Sequence, residues 1–392
     1  MRYEEICLIM ETPILARLYR RFGLDILEEN GIRITGLDCS PILAPVAYEK
    51  TKPDIDYSKK NIKLAFSKDE ISYYFNHMPK STLILNVVNY RPESRFIYKA
   101  ITKNHLAFFY MMINVDAKRS FADRGKAYLH DLSLKRILYS LNLRIPKGIF
   151  RYRSAEFVMG GGFDEAYKKL FWKTQMCNRN TKLMYAHTND YDECIRIQNE
   201  PRLIAEDYCV FIDECFPFHP DLLGNGIELN PQLYYTDMER FFRFIENEFN
   251  LQVIIAAHPR STYIEKKEYF QGFRIIKGKT CLLIRDAKFV IYHKSNSISS
   301  IVAFRKPIIF STNNEIEMKF IEGALTIRRM AKTLGKPVLN VSNLYNKKMI
   351  EVFLSIDNDK YTDFMTQYIC KDYNGKVEGK LIGNILLDYL KD

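Results

Sequence analysis

The sequence predicts an α/β protein made of two doubly wound parallel-sheet domains. Three observations carry this reading. Apolar runs of strand length, rich in Val and Ile, recur along the chain; stretches of helical periodicity separate them; and 392 residues are more than one ordinary core encloses. Strand–helix alternation of this kind implies parallel strands joined by crossover helices. The expected division is into residues 1–198 and 199–392, with a hinge around Pro201.

The first half supplies its elements in order. EEICLIM reads as a strand, TPILARLYRRFGLDILEENG as one amphipathic helix ending at Gly31, and IRITGLDCS as the next strand. No G-x-G-x-x-G lies in this first turn, so a dinucleotide fingerprint is absent. Residues 48–66 read as a polar loop. A helix over Asp69–His77, the strand STLILNVVNY, the helix PESRFIYKAITKN and the strand LAFFYMMINV continue the alternation. The basic stretch from Lys118 to Arg153 reads as a solvated face, or as a contact for an anionic membrane surface or acidic acceptor. In FVMGGGF, Gly160, Gly161 and Gly162 form either a plain tight turn or a place where backbone nears a ligand, with Gly161 the candidate contact. KLMYAHTNDYDECI closes this half.

The second half begins with YCVFIDECFPFHPDLL, followed by an amphipathic helix, YTDMERFFRFIENEF, with Thr236 or Asp237 near its start. Then LQVIIAA, TCLLIRDA, KFVIYH, SISSIVAFR and KPIIF give a β-α-β-α-β rhythm. A helix over EIEMKFIEGALTIRRMAKTLG, a strand at KPVLNVS and final helices from Lys347 onward, packing back across the cleft between the domains, complete the chain.

Two strands of this rhythm end in polar clusters, His258-Pro259-Arg260 and His293-Lys294-Ser295-Asn296-Ser297. In an open parallel sheet, ligands bind beyond the carboxyl ends of the strands. Hydroxyls of Ser295 and Ser297, the Asn296 amide and free N–H groups at a helix start make an anion pocket suited to phosphate. Arg260 and Lys294 add positive charge. His258 can protonate or hydrogen-bond a leaving phosphate oxygen, and Pro259 fixes the turn that carries it. Asp213, Glu214 and His219 lie just past another strand and are candidates for a general base, as are His187, Asp190 and Asp192. The bland alternatives are a satisfied core histidine at 258, simple N-capping by the serines and a capped loop at the acidic pair.

The His-Pro pair followed by a Ser-rich strand end resembles the C-terminal half of GT-B glycosyltransferases that build bacterial surface carbohydrates. More narrowly, it resembles bacterial sialyltransferases and related capsule transferases that use CMP-activated acidic sugars. The resemblance implies two Rossmann-like domains about an interdomain cleft, the first for acceptor and the second for the nucleotide-sugar donor. It implies metal-independent, inverting transfer of an acidic sugar such as sialic acid or Kdo onto a lipopolysaccharide, lipooligosaccharide or capsule acceptor. Carried over, His258 takes the phosphate-contacting or acid role, and Ser295 with Ser297 the phosphate-binding role. The chain departs from the family pair in that Asn296 follows Ser295. It departs again at Asp213-Glu214, which is followed by Cys215 rather than glycine and comes late in the chain. The same segment resembles the CDP-alcohol phosphotransferases of teichoic acid synthesis, so a UDP- or GDP-sugar or a CDP-alcohol is the alternative donor. The nucleotide sugar would be a substrate, and no cofactor is implied.

Bulk properties narrow the field. The net charge of +11 favours anionic partners, whether nucleotide sugars, acidic glycans, anionic membrane or nucleic acid, though the charge is spread rather than blocked. A non-catalytic, basic polyanion-binding scaffold is therefore the second reading, and no nucleic-acid-binding signature appears. Eight cysteines without C-x-x-C spacing read as free, buried thiols. No apolar run is long enough for a membrane span, and the acidic start lacks a signal-peptide pattern. The expected location is the cytoplasm, with peripheral contact at the inner membrane. GKT at 278–280 fails as a P-loop because Phe273 stands where glycine is needed. Three D-x-D triplets, Asp54/Asp56, Asp190/Asp192 and Asp357/Asp359, have the form of a metal-binding triplet but receive no metal here.

Overall fold

The computed structural model describes residues 3–51, 53–112, 147–162, 164–259, 261 and 269–391. Arg260 and most of the basic stretch from Lys118 to Arg153 lie outside the described residues. The chain divides into two compact units: the division falls between Asp192 and Glu193, and residues from Gly379 onward group with the first.

The first unit is a seven-stranded parallel sheet of β1 (Glu5–Met10), β2 (Arg33–Asp38), β3 (Ile62–Leu64), β4 (Thr82–Asn86), β5 (Ala107–Met111), β6 (Phe157–Gly160) and β7 (Lys182–Tyr185). Their spatial order is β3-β2-β1-β4-β5-β6-β7. Strand alternation splits each run between two cores. Ile6, Leu8 and Met10 enter one with Leu83, Leu85 and Phe109, while Cys7 and Ile9 enter the other with Ile84 and Phe108. The last helix, Ile382–Lys391, covers the first of these faces with Ile382, Leu386, Leu387 and Leu390. Each such buried side chain stabilises the fold by about 1.5–3 kcal/mol.

That packing explains the first departure from the sequence reading. The single helix expected up to Gly31 is two, Ala16–Arg21 and Leu24–Glu29, broken at Gly23. Gly23 has φ +70°, and a Cβ there would stand 2.5 Å from the backbone of Gly383. The close approach of the last helix, not local propensity, breaks the first. The expected polar loop at 48–66 likewise contains the end of a helix, Pro45–Lys50, and the edge strand β3.

The second unit is a six-stranded parallel sheet of β8 (Tyr208–Ile212), β9 (Gln252–Ala257), β10 (Arg274–Lys277), β11 (Val290–Tyr292), β12 (Ile308–Thr312) and β13 (Val338–Asn340). Its order is β10-β9-β8-β11-β12-β13, so chain direction across the sheet reverses between β8 and β11. The sequence reading lacks β10, whose RIIK core is too short to stand out from its polar flanks. The long helix starts earlier than Thr236 or Asp237: it runs Pro231–Phe249, and the Asn230 side chain caps it by accepting from Leu233 N at 3.2 Å. The helix expected from Glu315 breaks at Phe320 into Asn314–Lys319 and Ile321–Thr333.

Candidate functional site

The site follows from register. Ile212 of β8 pairs with Ala256 of β9 and with Tyr292 of β11. Two residues onward, Glu214, His258 and Lys294 lie in the turns that follow three adjacent strand ends. Strands spaced about 4.8 Å apart make this row about 10 Å wide. It lies at the reversal point of the sheet, where an open α/β sheet leaves a crevice for ligand.

Several sequence-predicted residues come together there. The Ser295 hydroxyl hydrogen-bonds the Glu214 carboxyl, and Lys294 is close enough to act on its charge. Burial pushes the Glu214 carboxyl up from its ordinary 4.5 to about 8; Asp213 adds to the rise, while Ser295 and Lys294 oppose it. Near neutral pH Glu214 is therefore mainly a neutral acid, able to donate a hydrogen bond or a proton. The rings of His219 and His258 meet with centroids 5.3 Å apart. The His258 carbonyl accepts from the amide and hydroxyl of Ser261 at 3.0 and 2.8 Å, which holds the turn after β9.

The loop after β11 is held by Tyr292, whose hydroxyl donates to the Ser295 carbonyl at 2.6 Å and accepts from the Ser295 amide at 2.7 Å. Ser295 Oγ donates to Ser297 Oγ at 3.3 Å and accepts from the Ser297 amide at 3.3 Å. Ser297 occupies the N-cap position of helix Ile298–Ala303 but makes no side-chain cap bond. Lys294 and Asn296 are exposed. His293, by contrast, belongs to the core. It is fully buried, its Nδ1 lies 2.6 Å from the Ser311 carbonyl, and its Nε2 lies 3.1 Å from Tyr234 Oη. Burial holds its pKa down to about 4.

Asp213 is 2 % exposed and accepts from the Cys215 amide at 3.0 Å, so it shapes the turn after β8. Cys215 takes a left-handed φ of 52°, which swings the chain into Phe216 and on to His219. Burial pushes its thiol up to about 12, so it stays protonated.

The other candidates lie in the first unit or serve local structure. Gly161 is buried just beyond β6, and Gly160 before it is required because a Cβ would come within 2.8 Å of Met112 Cβ. His187 is buried with Nε2 2.9 Å from the Lys380 carbonyl; Asp190 pairs with Arg21 at 2.9 Å; Asp192 accepts from Ile382 N at 2.6 Å. These three tie the returning chain and its neighbours together. Of the remaining D-x-D residues, Asp54 accepts from Ala16 N, Asp56 from Ser58 N, and Asp357 from Lys360 N as a helix cap.

The structure adds three residues the sequence reading lacks. Lys277 ends β10 and donates from Nζ to the Ser261 carbonyl at 3.0 Å. Thr312 ends β12, beside β11, and Asn313 follows it as the cap of the next helix; Thr312 Oγ1 and Asn313 Nδ2 are buried without a protein partner. The polar run STNN directly after KPIIF is the signal that could have found the last two.

No family model matches the sequence, and no curated protein sequence matches it. Solved structures do. UDP-GlcNAc 2-epimerase from Methanocaldococcus jannaschii aligns over 99% of this chain and 100% of its own, with 12% identity and a TM-score of 0.50. The S. aureus MnaA–UDP co-structure aligns over 99% of this chain and 96% of its own, with 10% identity and a TM-score of 0.50. At such identities the likeness concerns fold. The chain has the GT-B-type architecture of two parallel-sheet α/β domains.

Proposed function

We propose that this protein is a glycosyltransferase that moves a sugar from a nucleotide donor held at the carboxyl edge of the second sheet. The carrying observation is the row of Glu214, His258 and Lys294 at the reversal point, with Ser295 bonded to a Glu214 that is mainly neutral at pH 7. An ionised carboxylate there would repel a phosphate. A neutral one donates to it, so the acidic residue and an anionic ligand are compatible in one pocket. The row is about 10 Å wide, more than a single phosphate fills, which supports a sugar diphosphonucleotide. The structural neighbours named for UDP and UDP-GlcNAc agree with a UDP-linked donor. This ranks the UDP-sugar above the CMP-linked acidic sugar.

In the proposed reaction the acceptor hydroxyl oxygen attacks the anomeric carbon from the face opposite the donor phosphate. The C–O bond to the diphosphate breaks, and its electron pair leaves with the phosphate oxygen. Lys294 and the Ser295 and Ser297 hydroxyls stabilise that developing charge, and Glu214 donates a hydrogen bond or its proton. The acceptor proton is lost to solvent as the new bond forms, while His258 hydrogen-bonds the departing phosphate oxygen. Asp213 is occupied by the Cys215 amide, so it serves as a turn former rather than the base. No step requires a metal.

A second reading is a sugar-nucleotide epimerase, favoured by the names of the neighbours. The test is calorimetric titration of UDP, CMP, GDP and CDP into wild type and Ser295→Ala. Selective binding of UDP, weakened about tenfold in the variant, supports the donor site. Binding of none of the four, with affinity only for anionic polymers at low salt, would leave the scaffold reading. Release of UDP from a UDP-sugar that depends on added acceptor separates transferase from epimerase.

A further inference from the structure

The first sheet reverses direction between β1 and β4, and a cavity of about 400 Å³ opens just beyond those two strand ends. Its chemistry differs from that of the second unit. Among the described residues that line it, Glu11 is the one charged side chain; Asn89, Gln175 and Thr174 supply amides and a hydroxyl, and Leu170 and Phe171 supply apolar surface.

These polar groups form a connected lane. Glu11 accepts from Asn89 Nδ2 at 2.9 Å and from Asn89 N at 3.2 Å, and pairs with Arg91 at 2.6 Å. Gln175 Nε2 donates to Asn89 Oδ1 at 3.1 Å, while its Oε1 accepts from Tyr90 N at 3.1 Å. The lane is held in place before any ligand arrives, which lowers the cost of ordering it on binding. Arg91 balances the Glu11 carboxylate, so the described lining carries no net positive charge to repay the desolvation of an anionic ligand. A cationic ligand would compete with Arg91 for the same oxygens. A neutral ligand rich in hydroxyls avoids both costs. Its hydroxyls can donate to the remaining lone pairs of Glu11 and Asn89, and its C–H faces can lie on Phe171 and Leu170.

We infer that this cavity binds an uncharged, polyhydroxylated ligand, a neutral saccharide. Calling that saccharide the acceptor deepens the proposed function and rests on the transferase reading; the cavity's own selectivity does not. The two reversal points are thus specialised by charge, an anionic ligand in the second unit and a neutral one in the first.

The chain's single tryptophan makes the test direct. Trp172 stands beside Phe171, ring centroids 6.2 Å apart, with Nε1 donating to the Asn178 carbonyl at 3.2 Å. The full chain is titrated with N-acetylglucosamine, lactose, glucose 6-phosphate and sialic acid while Trp172 fluorescence is followed. A saturable change with a neutral sugar and none with the two acids is expected. Glu11→Gln should weaken that response at least about tenfold. Leu170→Ala, at a rim position 47% exposed and safe for folding, should weaken it about threefold. A response to the acids alone, or to none of the four, overturns the inference. UDP binding measured on the same sample separates the readings. UDP binding without any sugar response leaves the donor site standing and removes this one. A neutral-sugar response without UDP binding does the reverse.

Discussion

Glu214 gives a prediction that needs no knowledge of the substrate. Its carboxyl ionises at about 8 in the native protein against an ordinary 4.5, and each unit of such a difference corresponds to about 1.4 kcal/mol. The sign follows from linkage. The unfolded chain releases this proton at lower pH than the folded one, so the contribution is fully present below pH 4.5 and is lost as pH rises through about 8. Glu214→Gln mimics the neutral acid at every pH and removes this term. The full difference corresponds to about 5 kcal/mol. Between pH 5 and pH 9 the variant should gain on the order of 4 kcal/mol on wild type. Urea unfolding of wild type and variant at pH 5, 7 and 9 measures it. The variant should gain on wild type steadily with pH. Parallel stability curves would show that Glu214 titrates normally, and the neutral-acid role would fall with them.

Other outcomes follow from the same structure. His293, held down to about 4 from an ordinary 6.5, contributes stability that is full above pH 6.5 and lost as pH falls through about 4. This loss, on the order of 3 kcal/mol, should be absent in a folded His293→Gln variant examined by the same unfolding series. Gly23→Ala should cost about 2–4 kcal/mol in urea unfolding, because it strains a left-handed position and drives a Cβ into the Gly383 backbone. With a working transfer assay, His258→Ala should lower kcat by about a hundredfold; a change within about threefold would remove it from the chemistry.

The sequence alone determined the alternation of strands and helices, hence parallel sheets and the edge at which a ligand would sit. Apolar runs such as LQVIIAA and KFVIYH declare themselves because both faces of a central parallel strand are buried. The polar residues that close them, His258 and the 294–297 cluster, are legible for the same reason, since a strand end is where burial stops. Short edge elements such as β3 and β10 were not legible, being partly exposed and flanked by polar residues. The break at Gly23 was invisible because its cause, Gly383, lies in the last helix. Register was the other thing only tertiary structure could decide. It set the turns that carry Glu214, His258 and Lys294 after neighbouring strands while sending His293, one residue before Lys294, into the core. It also gave Glu214 a neighbour in Ser295 and a burial that holds its proton, and no spacing along the chain encodes either. A local pattern reports where a chain is apolar; which polar groups then face one another depends on pairing between strands far apart in sequence.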